Sequence, residues 1–297
     1  MKRLSWMAFF SIVIALHAPL AAQPLEGTLK KIKEIGTLTV GYRDAAIPFS
    51  YLDEALNPIG YSIDLCLKVV DAVRNELDLP DLTVRWQSVT SVSRISLVEK
   101  GRVDLECGST TNTVERQRTV SFGPTFFVSQ VAVAVRKSSG IESINQLSGR
   151  TVAAAAGTTA ISLIRQFGRG AAIDVVEVYG RDHLESFLLL ERHRADAWVL
   201  DDVLMAGQIA SSLKPDDFRI LPERLSHDPF SVMLRRNDPA FKALVDRTIS
   251  GLMRSGEILR IYEKWFTRSI PPKGINLNLP LSPENRKAFE EPNDRPA

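Results

Sequence analysis

The chain has 297 residues, of which 44% are hydrophobic and 24% charged. That composition is ordinary for a globular protein and excludes disordered, fibrous and collagen-like classes. The formal net charge is +2, and it falls to 2 − 2 = 0 without Lys2 and Arg3. Interspersed charge of both signs argues against nucleic acid or an anionic membrane surface as the partner.

Lys2 and Arg3 precede an apolar run from Leu4 to Leu16, and small residues follow at Ala18, Ala21 and Ala22. A basic start, a short apolar stretch and a small-residue exit make a secretory signal peptide over residues 1–22. The run is too short and wrongly flanked for a spanning helix. No cysteine near the exit offers a lipid attachment point. No later stretch is long and apolar enough to span a bilayer. The mature protein is therefore expected outside the cytoplasm.

Thr37–Tyr42 reads as a strand, with Leu38, Val40 and Tyr42 alternating. Phe49 and Tyr51 sit in a loop and are either core or a wall of a cleft. A helix follows from about Ile63, with Cys66, Val69, Val70, Val73 and Leu77 on one face, and Pro80 stops it. Leu82–Trp86 is a strand, Arg94–Lys100 a short helix and Val103–Glu106 a third strand. Asn112 then caps a helix, with Glu115 at the capping-box position. Gln130–Val135 is another apolar strand, and beyond it the alternation restarts. Strands at Thr151–Ala155, Ile173–Val178 and Ala195–Leu200 alternate with helices at Thr158–Phe167, after Asp182, and at Val203–Ser211. Asp182 caps its helix, with Glu185 three residues on. Phe230–Leu234 is a further strand. Pro239–Phe266 holds two amphipathic helices broken near Gly256, and the tail from Pro271 reads as loop or wrapping arm. Strand–helix alternation in two units argues for an α/β protein with mostly parallel sheets flanked by helices.

In open α/β sheets, ligands bind beyond the carboxyl ends of the strands. Arg43 follows the first strand. Ser91 and Arg94 follow the second. Ser109, Thr111 and Arg116 follow the third. In the second unit Thr159 opens a helix after an apolar strand, His183 opens another, and Asp201 and Asp202 end a third strand. Arginine presents a planar fork that binds a carboxylate bidentately. Helix N-termini favour anions. Two carboxylates and one ammonium need two such cradles and one acid. Three arginines with either Asp201 or Asp202 fit that demand, whereas a neutral amino acid would leave surplus buried positive charge. His183 has a packing reading beside the ligand reading, and Cys66 on its apolar face reads as a buried inert thiol.

Enzyme signals are poor. Outside the signal peptide the histidines are His183, His193 and His227. None forms a zinc pair, and there is no G-x-S-x-G elbow, P-loop or G-x-G-x-x-G. No metal and no cofactor is expected.

The stretches GYRDAAIPFSY (Gly41–Tyr51), TSVSR (Thr90–Arg94) and ECGSTTNTVERQ (Glu106–Gln117) resemble the polar amino acid branch of ABC-importer binding proteins, closest to the glutamate/aspartate-binding proteins. Gly157–Thr159, Asp182-His183, Asp201-Asp202, Tyr262–Phe266 and Ile270–Lys273 match as well, and the resemblance runs from about Gly27 to the end. It implies the type II periplasmic-binding-protein fold. The first lobe would be built from residues 27–128 and 228–297, the second from 129–227, with two crossing strands as the hinge. By motif position, Arg43, Ser91 and Arg94 would hold a side-chain carboxylate, with His183 closing over it. Ser109, Thr111, Arg116 and Thr159 would surround the α-carboxylate, and Asp201 would take the α-ammonium. The implied partners are an acidic amino acid and a membrane permease, with the binding protein a periplasmic monomer. The implied rivals are capture of a neutral amino acid such as glutamine, a prephenate or arogenate dehydratase on the same fold, and a sensor role. The family pairs the cysteine matching Cys107 with one near residue 232, which here is Val232. Two free thiols are expected rather than a Cys66–Cys107 bridge.

Overall fold

The computed structural model describes residues 25–171 and 173–297. The signal-peptide reading of residues 1–22 lies outside them. Two five-stranded sheets form the centres of two lobes. In the first, the order is Thr83–Ser88, Thr37–Tyr42, Leu105–Glu106, Met233–Arg235, Val120–Phe122. The first three strands run parallel, and Met233–Arg235 runs antiparallel to both of its neighbours. The second repeats the plan, in the order Val176–Gly180, Thr151–Ala155, Ala197–Asp201, Val131–Arg136, Phe218–Ile220. Its first three strands are parallel, and Val131–Arg136 is antiparallel to both Ala197–Asp201 and Phe218–Ile220.

The chain crosses between the sheets twice. Phe127–Ser129 leads out of the first lobe, and Asp228–Phe230 returns antiparallel to it. Phe127 and Phe230 are buried, and Phe49 packs edge-on to both at 5.0 and 5.3 Å between ring centroids. Tyr61, Tyr262 and Phe266 complete this aromatic cluster. The hinge strands are thus anchored on the first lobe's core. Phe49 is fully buried and Tyr51 nearly so, its hydroxyl donating to the Pro271 carbonyl at 2.7 Å. Both are core residues, not a cleft wall.

The alternating strands and amphipathic helices form largely where their apolar periodicity places them. Leu38 and Val40 are fully buried. The helix Tyr61–Glu76 buries Cys66, Val69, Val70 and Val73. Pro239–Arg254 and Glu257–Phe266 are separated by Gly256 at φ 75°, a left-handed conformation that glycine adopts without a steric penalty. Four readings are corrected. No α-helix follows Asn112. Its amide donates to the Asp294 carbonyl at 2.8 Å and its oxygen accepts from Gln117 at 2.9 Å, so its side chain is turned to those partners instead of to a helix N-terminus. Only a 3₁₀ turn forms, at Arg116–Arg118. The single strand read over Phe230–Leu234 is two pieces, Asp228–Phe230 in the hinge and Met233–Arg235 in the sheet. The tail contains a helix, Pro283–Glu290, capped by Ser282 with proline in its first turn. Cys66 and Cys107 are bridged, their Cα atoms 6.2 Å apart. The apolar helix face that buries Cys66 lies over the strand exit that carries Cys107, so the bridge does not need the family's second cysteine.

That tail embraces the first lobe and the hinge. The Asn285 amide both accepts from Val128 N at 2.8 Å and donates to Val128 O at 3.2 Å, so its side chain pairs with an outgoing hinge strand as a neighbouring strand would. Thr125 N donates to Asn293 O, and Ala297 N to Asn112 O.

Candidate functional site

The carboxyl ends of the parallel strands in the two sheets face one another, and the side chains there come from both lobes. Arg43 leaves the Thr37–Tyr42 strand with its N–H held by Ser50 Oγ at 2.8 Å, and only 2% of its surface is exposed. After Thr83–Ser88, Thr90 and Ser93 exchange hydrogen bonds in a tight turn that opens the helix Arg94–Glu99. Ser91 and Arg94 are buried on that turn. Arg94 Nη1 donates to Thr110 Oγ1 at 2.7 Å, and Thr110 in turn donates to Glu106 Oε2 at 2.7 Å. Ser109 and Thr111 follow on the same loop, both buried.

From the second lobe, Asp182 caps the helix His183–Glu191 through the Glu185 N–H at 2.9 Å. The Glu185 carboxylate accepts from Arg181 N instead of from the cap residue, so only half of the capping box forms. His183 is buried in the first turn. Asp201 is buried and makes no side-chain cap bond to the helix Asp202–Ala210. Asp202 is committed elsewhere. Its Oδ1 accepts from Ser129 Oγ and Val203 N, and its Oδ2 lies 3.5 Å from Arg224. Of the two acids, Asp201 is the one left for the cleft.

The lobes meet closely. Arg116 donates to the Thr111 carbonyl at 2.8 Å and to the Gly157 carbonyl of the other lobe at 3.3 Å. Thr111 and Thr159 both donate to Asp228 Oδ2, each at 3.1 Å. A Cβ on Gly157 would lie 2.8 Å from the Ser91 backbone carbonyl, and one on Gly207 would lie 2.5 Å from Ile47 O. Gly157 also holds φ at 78°, which an L side chain rarely adopts. Gly157→Ala is therefore expected to weaken ligand binding by roughly tenfold or more through blocked closure, at a strain cost of about 1–2 kcal/mol. Titration calorimetry measures it, and unchanged affinity would show that this approach does not accompany binding.

The nine residues predicted for the site, Arg43, Ser91, Arg94, Ser109, Thr111, Arg116, Thr159, His183 and Asp201, converge on this cleft. In six of them a fully buried polar atom has no partner among the described residues: Arg43 Nη1, Ser91 Oγ, Arg94 Nε, Ser109 Oγ, both His183 ring nitrogens and Asp201 Oδ1. A buried polar atom without a partner costs about 1–3 kcal/mol, so such a concentration marks a surface made for something polar. Burial, then Arg94, pushes the Arg43 guanidinium down to about 9, and Glu106 offsets part of that. Burial also lowers Arg94. Burial, then Arg94, lowers Arg116 to about 10. His183 is held well below its ordinary value by burial and by Arg43 and Arg94, so its ring is neutral. Burial, then Asp228 and Asp202, raises Asp201 well above the usual carboxylate range. Crowded guanidiniums favour an incoming anion, and the crowded Asp201 favours an incoming cation.

Sequence reasoning missed Glu106 and Asp228. Glu106 is fully buried beside Arg43 and Arg94, and an acid inside an apolar strand was its visible signal. Asp228 lies in the hinge and had no local signal. With both present the buried arginines are more nearly balanced than three guanidiniums and one aspartate would be.

Residues 38–268 match the family described as bacterial extracellular solute-binding proteins, family 3. The chain belongs to that family. It is 46% identical over 287 residues to a protein from Pseudomonas aeruginosa named L-glutamate/L-aspartate-binding protein, covering 96% of this chain and 95% of the relative. It is 39% identical to an Escherichia coli K12 protein named glutamate/aspartate import solute-binding protein, covering 96% of each. Among solved structures, a cysteine-binding protein from Campylobacter jejuni superposes with a TM-score of 0.70 at 26% identity, over 80% of this chain and 92% of that one. ArgBP from T. maritima, in a mutant form, gives 0.71 at 26%, over 80% and 98%. The two-lobed α/β fold is the family's own.

Proposed function

We propose that the protein captures L-glutamate or L-aspartate outside the cytoplasm as the solute-binding protein of an ABC importer. The observation that carries this reading is the cluster of buried, partnerless donors on Arg43, Arg94, Ser91, Ser109 and neutral His183, set across from the partnerless acceptor of Asp201. Two carboxylates and an ammonium supply what those atoms lack. Relatives covering nearly the whole chain carry names with the same ligands. In this reading Arg43, Ser91 and Arg94 bind the side-chain carboxylate with His183 above it. Arg116 and Ser109 bind the α-carboxylate, and Asp201 takes the ammonium. Thr111 and Thr159 stand beside them. The protein acts as a periplasmic monomer and performs no chemistry of its own. Residues 27–128 and 228–297 move as one lobe and 129–227 as the other. Ligand contacts made only when the lobes meet favour the closed form, which docks on a membrane permease.

The test is thermal unfolding of the ligand-stripped protein against L-glutamate, L-aspartate, L-glutamine, L-asparagine, succinate and prephenate. A ligand at about 100 times its dissociation constant adds about 2.7 kcal/mol of stability. Upward shifts with L-glutamate or L-aspartate, without shifts from the amides, are the expected result. A shift with glutamine, or with prephenate alone, would overturn the acidic-ligand reading and leave the fold assignment standing.

A further inference from the structure

Glu106 ends the central strand of the first sheet, paired to Gly41 on one side and to Met233 on the other, and it is fully buried. Burying a carboxylate is costly unless an opposite charge compensates it. The proposed ligand contacts do not use this one. Its Oε2 accepts from Thr110 Oγ1 at 2.7 Å, and the same hydroxyl oxygen accepts from Arg94 Nη1 at 2.7 Å. A hydroxyl has one proton, so the relay runs in one direction, from guanidinium to threonine to carboxylate. A Cβ on Gly108 would collide with Glu106 Oε1 and lie 3.0 Å from Arg43 Cγ. The missing side chain lets the carboxylate and the Arg43 stem close on one loop. Burial disfavours the charges of Arg43, Arg94 and Arg116, and Glu106 offsets part of that at all three.

Glu106 engages Arg94 through its Nη1 edge, while Arg94 Nε and Arg43 Nη1 have no partner among the described residues. The resident carboxylate and an incoming one therefore use different edges of the same guanidiniums. Two guanidiniums and one carboxylate leave one surplus positive charge. We propose that Glu106 is the built-in counter-anion of Arg43 and Arg94, which sets the side-chain end of the cleft to accept a single carboxylate and to disfavour doubly charged end groups such as a phosphate monoester. The inference rests on the proposed reading of the cleft as an acidic amino-acid site. It makes Glu106 a specificity-determining residue that acts through Thr110 and the arginines without touching the ligand.

The experiment is calorimetry of the full chain and its Glu106→Gln variant on three ligands that share the same α-groups: L-glutamine, L-glutamate and O-phospho-L-serine. Their side chains are neutral, singly negative and, at pH 7, about −1.5 to −2. The glutamine carbonyl still accepts from Thr110, so the substitution removes the charge and keeps the hydrogen bond. The affinity of the variant relative to the wild type is expected to rise along that series, by about tenfold for each unit of side-chain charge. An equal change for all three ligands would overturn the inference, because a purely structural role alters affinity without regard to ligand charge. If Glu106→Gln does not fold alone by circular dichroism, it is refolded with O-phospho-L-serine or with L-glutamine. Rescue by the phosphate ester and not by the amide is expected; rescue by both alike, or by neither, overturns the inference. Failure of the acidic-ligand reading shows separately, as tighter wild-type binding of L-glutamine than of L-glutamate, and the change with ligand charge is still read across the three ligands.

Discussion

Arg94→Ala is expected to weaken L-glutamate binding by several hundredfold, the largest affinity effect of any single substitution considered. Arg94 is 2% exposed, and its Nε has no partner among the described residues. A ligand carboxylate that docks there exchanges water for a buried charge-assisted hydrogen bond. Removing one partner of a buried charge pair costs about 2–5 kcal/mol, because the other charge stays buried and unpaired. The unliganded protein should tolerate the change better. Burial already disfavours the Arg94 charge, with Glu106 and Asp201 offsetting part of that, and Thr110 still satisfies Glu106 Oε2. Arg94→Lys should recover only part of the loss, since lysine restores the charge without the planar fork. Calorimetry and unliganded melting curves separate these contributions. An Arg94→Ala protein that binds L-glutamate as tightly as the wild type would remove Arg94 from the pocket.

The candidate site was legible in the sequence as a grouping because its residues sit at strand exits, and a parallel sheet brings its strand exits to one edge. Arg43, Arg94, Ser109 and His183 each follow a strand recognisable from local periodicity. Asp228 was invisible for the opposite reason. Its hydrogen bonds reach Thr111, 117 residues away, and Thr159, 69 residues away, so its meaning exists only after the lobes meet. The Asn112 helix failed in a related way, because the competing partner is a carbonyl 182 residues further on. The terminal helix is a different case. Ser282, Pro283 and Glu284 are local start signals, and the surrounding proline and asparagine residues masked them.

Loss of the Cys66–Cys107 bridge is expected to lower the unfolding free energy by about 4 kcal/mol. The bridge joins residues 41 apart in sequence, and the chain-entropy relation for a loop of that size gives ~4 kcal/mol from the unfolded chain's restored freedom. That is a large fraction of the 5–15 kcal/mol that stabilises a typical domain. Both cysteines are fully buried, as is Val232. The bridge ties the helix Tyr61–Glu76 to the start of the Gly108–Thr111 loop, so it also fixes the loop that carries Ser109 and Thr111. Denaturant unfolding of the oxidised protein, the reduced protein and the Cys66→Ala/Cys107→Ala variant measures the effect. Alanine avoids burying the unpaired hydroxyls that serine would introduce. The reduced protein and the variant should unfold at a similarly lower midpoint. Titration of free thiols in the unfolded, unreduced chain should find none. Two titratable thiols, or coincident unfolding of all three forms, would return the cysteines to the free state expected from the missing partner at Val232.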